Sequence, residues 1–500
     1  MKTRKSRTTT GKSTASATSN GKQIAAWEND PFGQAVPTNP PNPVRPILRP
    51  VPSLKTTVPL PVGIRETQPP PQVYPTGTPE FRYWTAAEAL RRAADFWSSL
   101  LPGTKWHKTV GKVLNARLDA GEDFNAFYDR QGLEFFHGNV AGQTFFSGES
   151  PDVVCHELGH AVLDALRPQL FNVGFIEAAA FHESFGDMSA LLSALQLQSV
   201  REHVLVETHG RLARSSSLSR LAEQLGFAIR QIQPDAVERN SLRNAANRFF
   251  YRDPSTLPPD APATQLSSEP HSFSRVFTGA FLDVLAGMLK VASGSNMATE
   301  TQLLDVSQRV GKYLVTGILQ AAVVPAYYSQ VAAAMVHNAS EADRNAVAGA
   351  FAHHGILSLS AAASAAAGTA AAGVAAAPAA KGDDLGTIAL SGAEYGLQAE
   401  SLLVHAEAEP HRFQASPAVF GIVAGAPPSS DQAAKHFLED LLQLGRVHIE
   451  PAEKTGGAAF AHALSQPHKT KTHMLSKEAK GFRLRRLRFD CGFDCDCYGA

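Results

Sequence analysis

The sequence predicts an α+β fold, on three observations. A helix and a short meander of strands lead into an apolar helix; a long stretch of helical periodicity follows; a small α/β unit comes after it. The first helix reads from Thr85 and Glu88, spaced as a capping box, through Ala89, Leu90, Ala93, Phe96, Trp97 and Leu100, and stops at Pro102-Gly103. Strand candidates cover 113–119, 125–129 and 133–136, with Gly121, Gly132 and Gly138 at the turns. An apolar helix over 151–166 breaks near Pro168, and a second apolar helix runs over 176–197. Residues 198–356 are helical throughout, in segments 218–232, 273–292, 298–319, 322–336 and 340–352, the last closing at His353-His354-Gly355. Beyond 386, Val404 and Ala406 alternate with His405 and Glu407, 420–423 reads as a strand, and Ala434, Phe437, Leu438, Leu441 and Leu442 make a helical stripe ending at Gly445.

Composition sets the boundaries. The chain has 500 residues, 44% of them hydrophobic, and a formal net charge of zero, so nothing overall points to nucleic acid. Residues 1–80 are rich in Ser, Thr and Pro and carry a basic arm; they read as a disordered extension. The divisions that follow are a main domain over 81–357, an Ala-rich linker over 358–385, a small α/β unit over 386–456 and a basic, Cys-containing tail over 457–500. The expectation is no membrane span and no secretory signal, hence a cytoplasmic protein or one exported by a non-classical route. Four cysteines, Cys155 alone and Cys491, Cys495 and Cys497 together, do not form a disulfide framework; the spacing of the last three matches no standard zinc module, and a disordered tail is expected.

The chemistry centres on His156-Glu157-Leu158-Gly159-His160. On a helix, residues i and i+4 share a face, so both imidazoles can point at one cation while Glu157 reaches a metal-bound water. A helix with two core histidines would also satisfy the motif alone. A zinc site needs a third protein ligand. The metzincin extension would need Gly at 163 and His at 166, and both are leucine; another gluzincin group would put its glutamate at 179, which is alanine. Glu183 remains, with Glu177 as the rival. Asp187 favours Glu183, because one turn further on it can accept the outer N–H of a ligand histidine. His182 is expected to pack or face solvent, and Cys155 to be a small core residue.

With these motifs in place, residues 82–357 resemble the thermolysin family of gluzincin metallopeptidases. Asp152 to Val162 is similar to that family's active-site helix, Glu183-Ser184-Phe185-Gly186-Asp187 to its Glu-x-x-x-Asp ligand helix, and Asn125 to Asp129 to its substrate-binding edge strand. The resemblance implies a two-lobed zincin with a sheet-bearing N-terminal lobe, a helical C-terminal lobe and a cleft between them. It implies zinc on His156, His160 and Glu183, with Asp187 behind them and Glu157 as general base. Asn125 and the Ala126 carbonyl would hold an extended peptide, and His271 would stabilise the oxyanion. Arg248, or Arg252, would be the substrate-binding arginine. The family tyrosine facing the transition state is Phe171 here, which removes a hydroxyl. Asp152 matches a calcium-ligand position but the partner position is Ala194, so calcium is not supported, and Asp152 can simply cap its helix. The function expected is a zinc-dependent metalloendopeptidase acting on peptide or protein substrates; the alternative is a catalytically idle gluzincin-like module that binds peptides or partners.

Overall fold

Thr78 starts the first long helix. Its side chain accepts from Phe81 N at 3.2 Å and Pro79 fills the first turn, so α1 (Pro79–Leu100) begins about two turns before the capping box at Thr85. Thr85 is buried inside the helix and accepts from Trp27 N. The computed structural model describes residues 22–31, 46–368, 386–397, 401–406, 409–419, 422–423, 426–449, 470–479 and 481–491. Within it the chain is a mixed α+β protein.

The first 80 residues are not a wholly disordered extension. β1 (Gln23–Ala26) pairs antiparallel with β2 (Ile47–Pro50), and β3 (Val62–Ile64) joins the main sheet. Ile24, Ala26, Leu60 and Val62 are buried, which anchors the segment although its Pro-rich composition hides any periodicity. Residues 1–21 and 32–45 lie outside the described residues.

Three of the strands read from sequence form as β4 (Leu114–Arg117), β5 (Ala126–Tyr128) and β6 (Leu133–Phe135). A hairpin of β7 (His137–Val140) and β8 (Gln143–Phe146) follows. Then come α2 (Pro151–Leu166), α3 (Ile176–Ala194) and α4 (Gln198–Thr208). The short strands β9 (Arg220–Leu221) and β10 (Arg243–Asn244) pair across α5 (Glu223–Ile232). The helical half continues with α6 (Pro270–Ser293), α7 (Glu300–Gln320), α8 (Tyr327–Asn338), α9 (Glu341–His353) and α10 (Leu359–Ala366). α10 is capped by Ser358 and occupies the start of the expected linker; residues 369–385 lie outside the described residues. By length and composition α6 could cross a membrane, contrary to the sequence reading, but it is mostly buried against α3 and α9.

The small unit and the tail are one structure. β11 (Thr387–Ser391), β12 (Ser401–His405), the bridge pair β13 (Ala418–Val419) and β14 (Ile422–Val423), α11 (Ser430–Gln443) and β15 (Val447–Ile449) come from the first part. The tail adds β16 (His473–Glu478), β17 (Gly481–Arg486) and β18 (Phe489–Asp490). One sheet runs β11-β12-β17-β16-β15, so the hairpin of the expected tail sits in its middle. The boundary drawn at 456 and the disordered tail are therefore wrong for 470–491. Both parallel pairings of that hairpin are distant in sequence and leave no local signal.

The main sheet has the order β18-β5-β6-β4-β3. Its β5 is tied to α2: Tyr128 donates to Asp164 at 2.8 Å, and Arg130 donates to both Asp164 oxygens at 2.6 and 3.0 Å. α2 and α3 meet at two glycines. A Cβ on Gly159 would stand 2.8 Å from Ser189 Cβ and 3.0 Å from Gly186 Cα; one on Gly186 would stand 2.5 Å from His156 Cε1. Only hydrogen at both positions allows this approach. We expect Gly159→Ala to cost about 1–3 kcal/mol through overpacking, read as a lower urea midpoint; an unchanged midpoint would show that the helices do not need the glycine.

Candidate metal centre at the cleft

Ser150, not Asp152, caps α2; its hydroxyl accepts from Val153 N at 3.5 Å and donates to Asp30. Asp152 sits in the first turn, buried, and takes the Ala222 N–H at 3.2 Å. Further along the helix, His156 and His160 stand edge to face with ring centroids 4.8 Å apart, both buried. Ligand atoms of His156, Glu157 and His160 lie within 4.8 Å of one another, close enough to hold one cation.

α3 supplies Glu183 across the glycine contact. Its carboxylate is 3.4 Å from His156 Nε2 and 3.7 Å from His160 Nε2. The rival Glu177 is used elsewhere: it accepts from Tyr251 Oη and Tyr328 N, both at 2.7 Å. Asp187 accepts from His156 Nδ1 at 3.1 Å, which places the proton there and leaves Nε2 free to bind a cation. Asp187 is itself held by Arg243, whose Nη2 and Nε donate to its two oxygens at 2.8 and 3.1 Å. This Arg243, despite the cost of burial, keeps the Asp187 carboxyl well below the usual range, with His156 adding to it. Arg243 leaves no signal in the sequence, because it lies on a two-residue strand with no helical or motif spacing. Arg248, the arginine expected at the site, is exposed, and so is Arg252.

Four of these residues carry buried atoms that no hydrogen bond satisfies among the described residues: His156 Nε2, both ring nitrogens of His160, both oxygens of Glu157, and Glu183 Oε2. Such atoms are costly unless something compensates them. A divalent cation would. Burial holds His160 well below its ordinary pKa, so the ring is neutral and its lone pair is available. Burial, and then the Glu183 carboxylate, push Glu157 up to about 8. A second set, Asp283 with His353 and His354, is also compact, but Asp283 accepts from both rings at 2.8 and 3.3 Å, and the other nitrogen of His354 bonds the Phe249 carbonyl.

One side of the centre is covered by the chain itself. β18 adds antiparallel to β5, pairing Phe489 with Tyr128 and Asp490 with Phe127, and Cys491 N donates to the Ala126 carbonyl at 3.0 Å. Asn125 is buried, with its Oδ1 accepting from Ala126 N at 2.8 Å. His271, at the start of α6, donates from Nε2 to the Asp490 carbonyl and from Nδ1 to Glu269 at 2.7 Å. Its Nε2 is also 3.3 Å from Glu183. Against the effect of burial, Glu183 and Glu269 raise His271 to about 10. Phe489 stacks on His182 at 4.0 Å and on His160 at 5.0 Å and meets Phe171 edge on. Phe171 is thus buried packing in this arrangement, as is His182. Cys155 lies on the opposite face of α2, its thiol against the Ala89 carbonyl.

The rival carboxylate makes a separate, checkable case. Burial, against the bonds from Tyr251 and Tyr328, raises Glu177 to about 8, well above the ordinary carboxyl value near 4.5. The folded state then keeps a proton that the unfolded state has lost, so stability is full below about pH 4.5 and falls as pH rises towards about 8. Glu177→Gln should flatten that fall by an amount on the order of a few kcal/mol, seen in urea titrations at pH 5 and pH 8; equal pH dependence in both proteins would refute it. No protein-family model matches this sequence and no curated protein matches it.

Proposed function

We propose that the chain is a zinc-dependent metalloendopeptidase with the two-lobed, thermolysin-like arrangement that the sequence resembles. In this reading the main sheet and α2 form one lobe, the helices after α3 the other, and β5 the edge of the cleft. The observation that carries it is the convergence of buried His156, His160 and Glu183 atoms that no hydrogen bond satisfies among the described residues, beside the buried Glu157 carboxyl group. Two imidazoles and a carboxylate suit zinc with a fourth place left open.

Zinc bound there would polarise a scissile carbonyl and activate water. The chain's own residues do the rest. Asp187, fixed by Arg243, holds the His156 tautomer. Glu157 takes a proton from the water and delivers it to the leaving amine, and its raised pKa of about 8 suits both steps. The edge of β5, once clear of β18, accepts an extended peptide through the Ala126 carbonyl. His271, as an imidazolium, donates to the peptide carbonyl where negative charge develops, as it now donates to the carbonyl of Asp490.

A second reading, an idle peptide-binding module, draws on two observations: β5 already holds a strand, and Phe171 offers no hydroxyl. Zinc content and cleavage of a casein-type substrate separate the two. The measurements use the chain as it stands and a Phe489→Asp chain that cannot stack its own strand on the site. We expect about one zinc per chain, with Glu157→Gln keeping the zinc and losing roughly 100-fold or more of the cleavage. Cleavage unchanged by Glu157→Gln overturns the mechanism; zinc with no cleavage in either chain leaves the binding module.

A further inference from the structure

The segment that covers the cleft has a geometry that the fold alone does not require. Its peptide unit between Asp490 and Cys491 lies where a substrate's would. The carbonyl of that unit receives the His271 N–H, and its N–H goes to the Ala126 carbonyl at 3.0 Å. The side chain that follows is a cysteine, buried, in the reduced form, and lining the same small cavity as His156, Asp187 and Arg243. Its thiol lies against the Glu157 carboxyl group. The carboxyl group it touches belongs to the cluster in which ligand atoms of His156, Glu157 and His160 lie within 4.8 Å of one another. A buried thiol at the edge of an imidazole and carboxylate cluster suits a thiophilic cation shared with that cluster.

We propose that Phe489–Cys491 is a built-in pseudo-substrate, and that Cys491 is the fourth protein ligand of the metal held by His156, His160 and Glu183. The inference rests on the metal-centre reading above. On ligation the S–H bond breaks, the proton passes to the adjacent Glu157, and a sulfur electron pair goes to the metal. No redox step is involved. Filling the open place with sulfur excludes the water that Glu157 would otherwise deprotonate, and β18 denies β5 to any other peptide. Displacing the strand restores both at once. Because the inhibitor is tethered, its effective concentration is in the millimolar range, enough to hold the cleft shut against dilute substrate.

The test is cobalt(II) substitution of the full-length protein. Cobalt bound at the centre should show thiolate-to-cobalt charge-transfer absorption in the near ultraviolet. Cys491→Ser should abolish that band, keep about one cobalt per chain, and raise cleavage of a casein-type substrate by about tenfold or more. Cys155→Ser, on the other face of α2, should change neither. Phe489→Ala checks the strand independently: it keeps the thiol yet weakens the stack on His160 and His182, and should also raise cleavage. Cobalt bound without a thiolate band overturns Cys491 as a ligand. A chain found cut between Asp490 and Cys491 overturns the inhibitor and makes the segment a substrate. If neither the native chain nor Cys491→Ser binds cobalt, the metal-centre reading itself has failed.

Discussion

The close approach of α2 and α3 is the constraint from which the site follows. Gly159 and Gly186 lie against each other, and the His156 ring fills the space that a side chain on Gly186 would need. That contact brings two imidazoles from one helix and a carboxylate from the other into a single dry volume. Once there, their polar atoms cannot reach water, and the ladder bonds of both helices offer them nothing. The helices can hold such a set only if something else satisfies it. Asp187 and Arg243 do so for the outer nitrogen of His156, and the inner atoms are left for a cation. The arrangement is ordered outward: a fixed arginine holds a carboxylate, the carboxylate holds a tautomer, and the tautomer aims a lone pair.

This order explains which parts of the site are legible in the sequence. Helical spacing carries its own geometry, so the sequence alone sets His156 with His160, and Glu183 with Asp187, on shared faces. The choice of Glu183 over Glu177 also follows from spacing, through the carboxylate one turn beyond, and Glu177 is indeed taken up by Tyr251 and Tyr328. The glycines are visible inside those motifs but look like helix weaknesses rather than contact points. Arg243 has no such pattern. It reaches Asp187 from a two-residue strand 56 positions away, and only tertiary structure joins them.

The two ends of the described chain escape a sequence reading for a related reason. Pro-rich and basic segments look solvated because their partners are remote. Val62 to Ile64 finds β4 about fifty residues on, in a parallel pairing that needs no turn between them. In the tail, Arg483, Arg485, Arg486 and Arg488 look like a charge run. Arg483 alternates with buried Phe482 and Leu484 along β17 and pairs with Glu478. Arg486 and Arg488 lie over the rings of Phe489 and Phe127, and Arg486 also donates to the Phe171 carbonyl. Guanidinium stems and planes cover apolar surface while keeping their charge partnered, so a basic run can be a structural seam.

Under the proposed function, β5 faces two demands on the same backbone groups. An edge strand left bare invites uncontrolled pairing, so folds cover, shorten or charge their edges. A strand meant to receive an extended peptide must keep those groups available. A long covering strand would meet the first demand and defeat the second. β18 pairs over two residues only, with one further bond from Cys491 to Ala126. Much of its hold comes from side chains at its ends: Phe489 on the histidines, Arg488 on Phe127, and Cys491 in the small cavity beside His156, Asp187 and Arg243. A cover of that kind is strong while its anchors are in place and weak once one is lost, because two ladder pairs contribute little by themselves. The shortness of β18 is therefore what reconciles a protected edge with an accessible one.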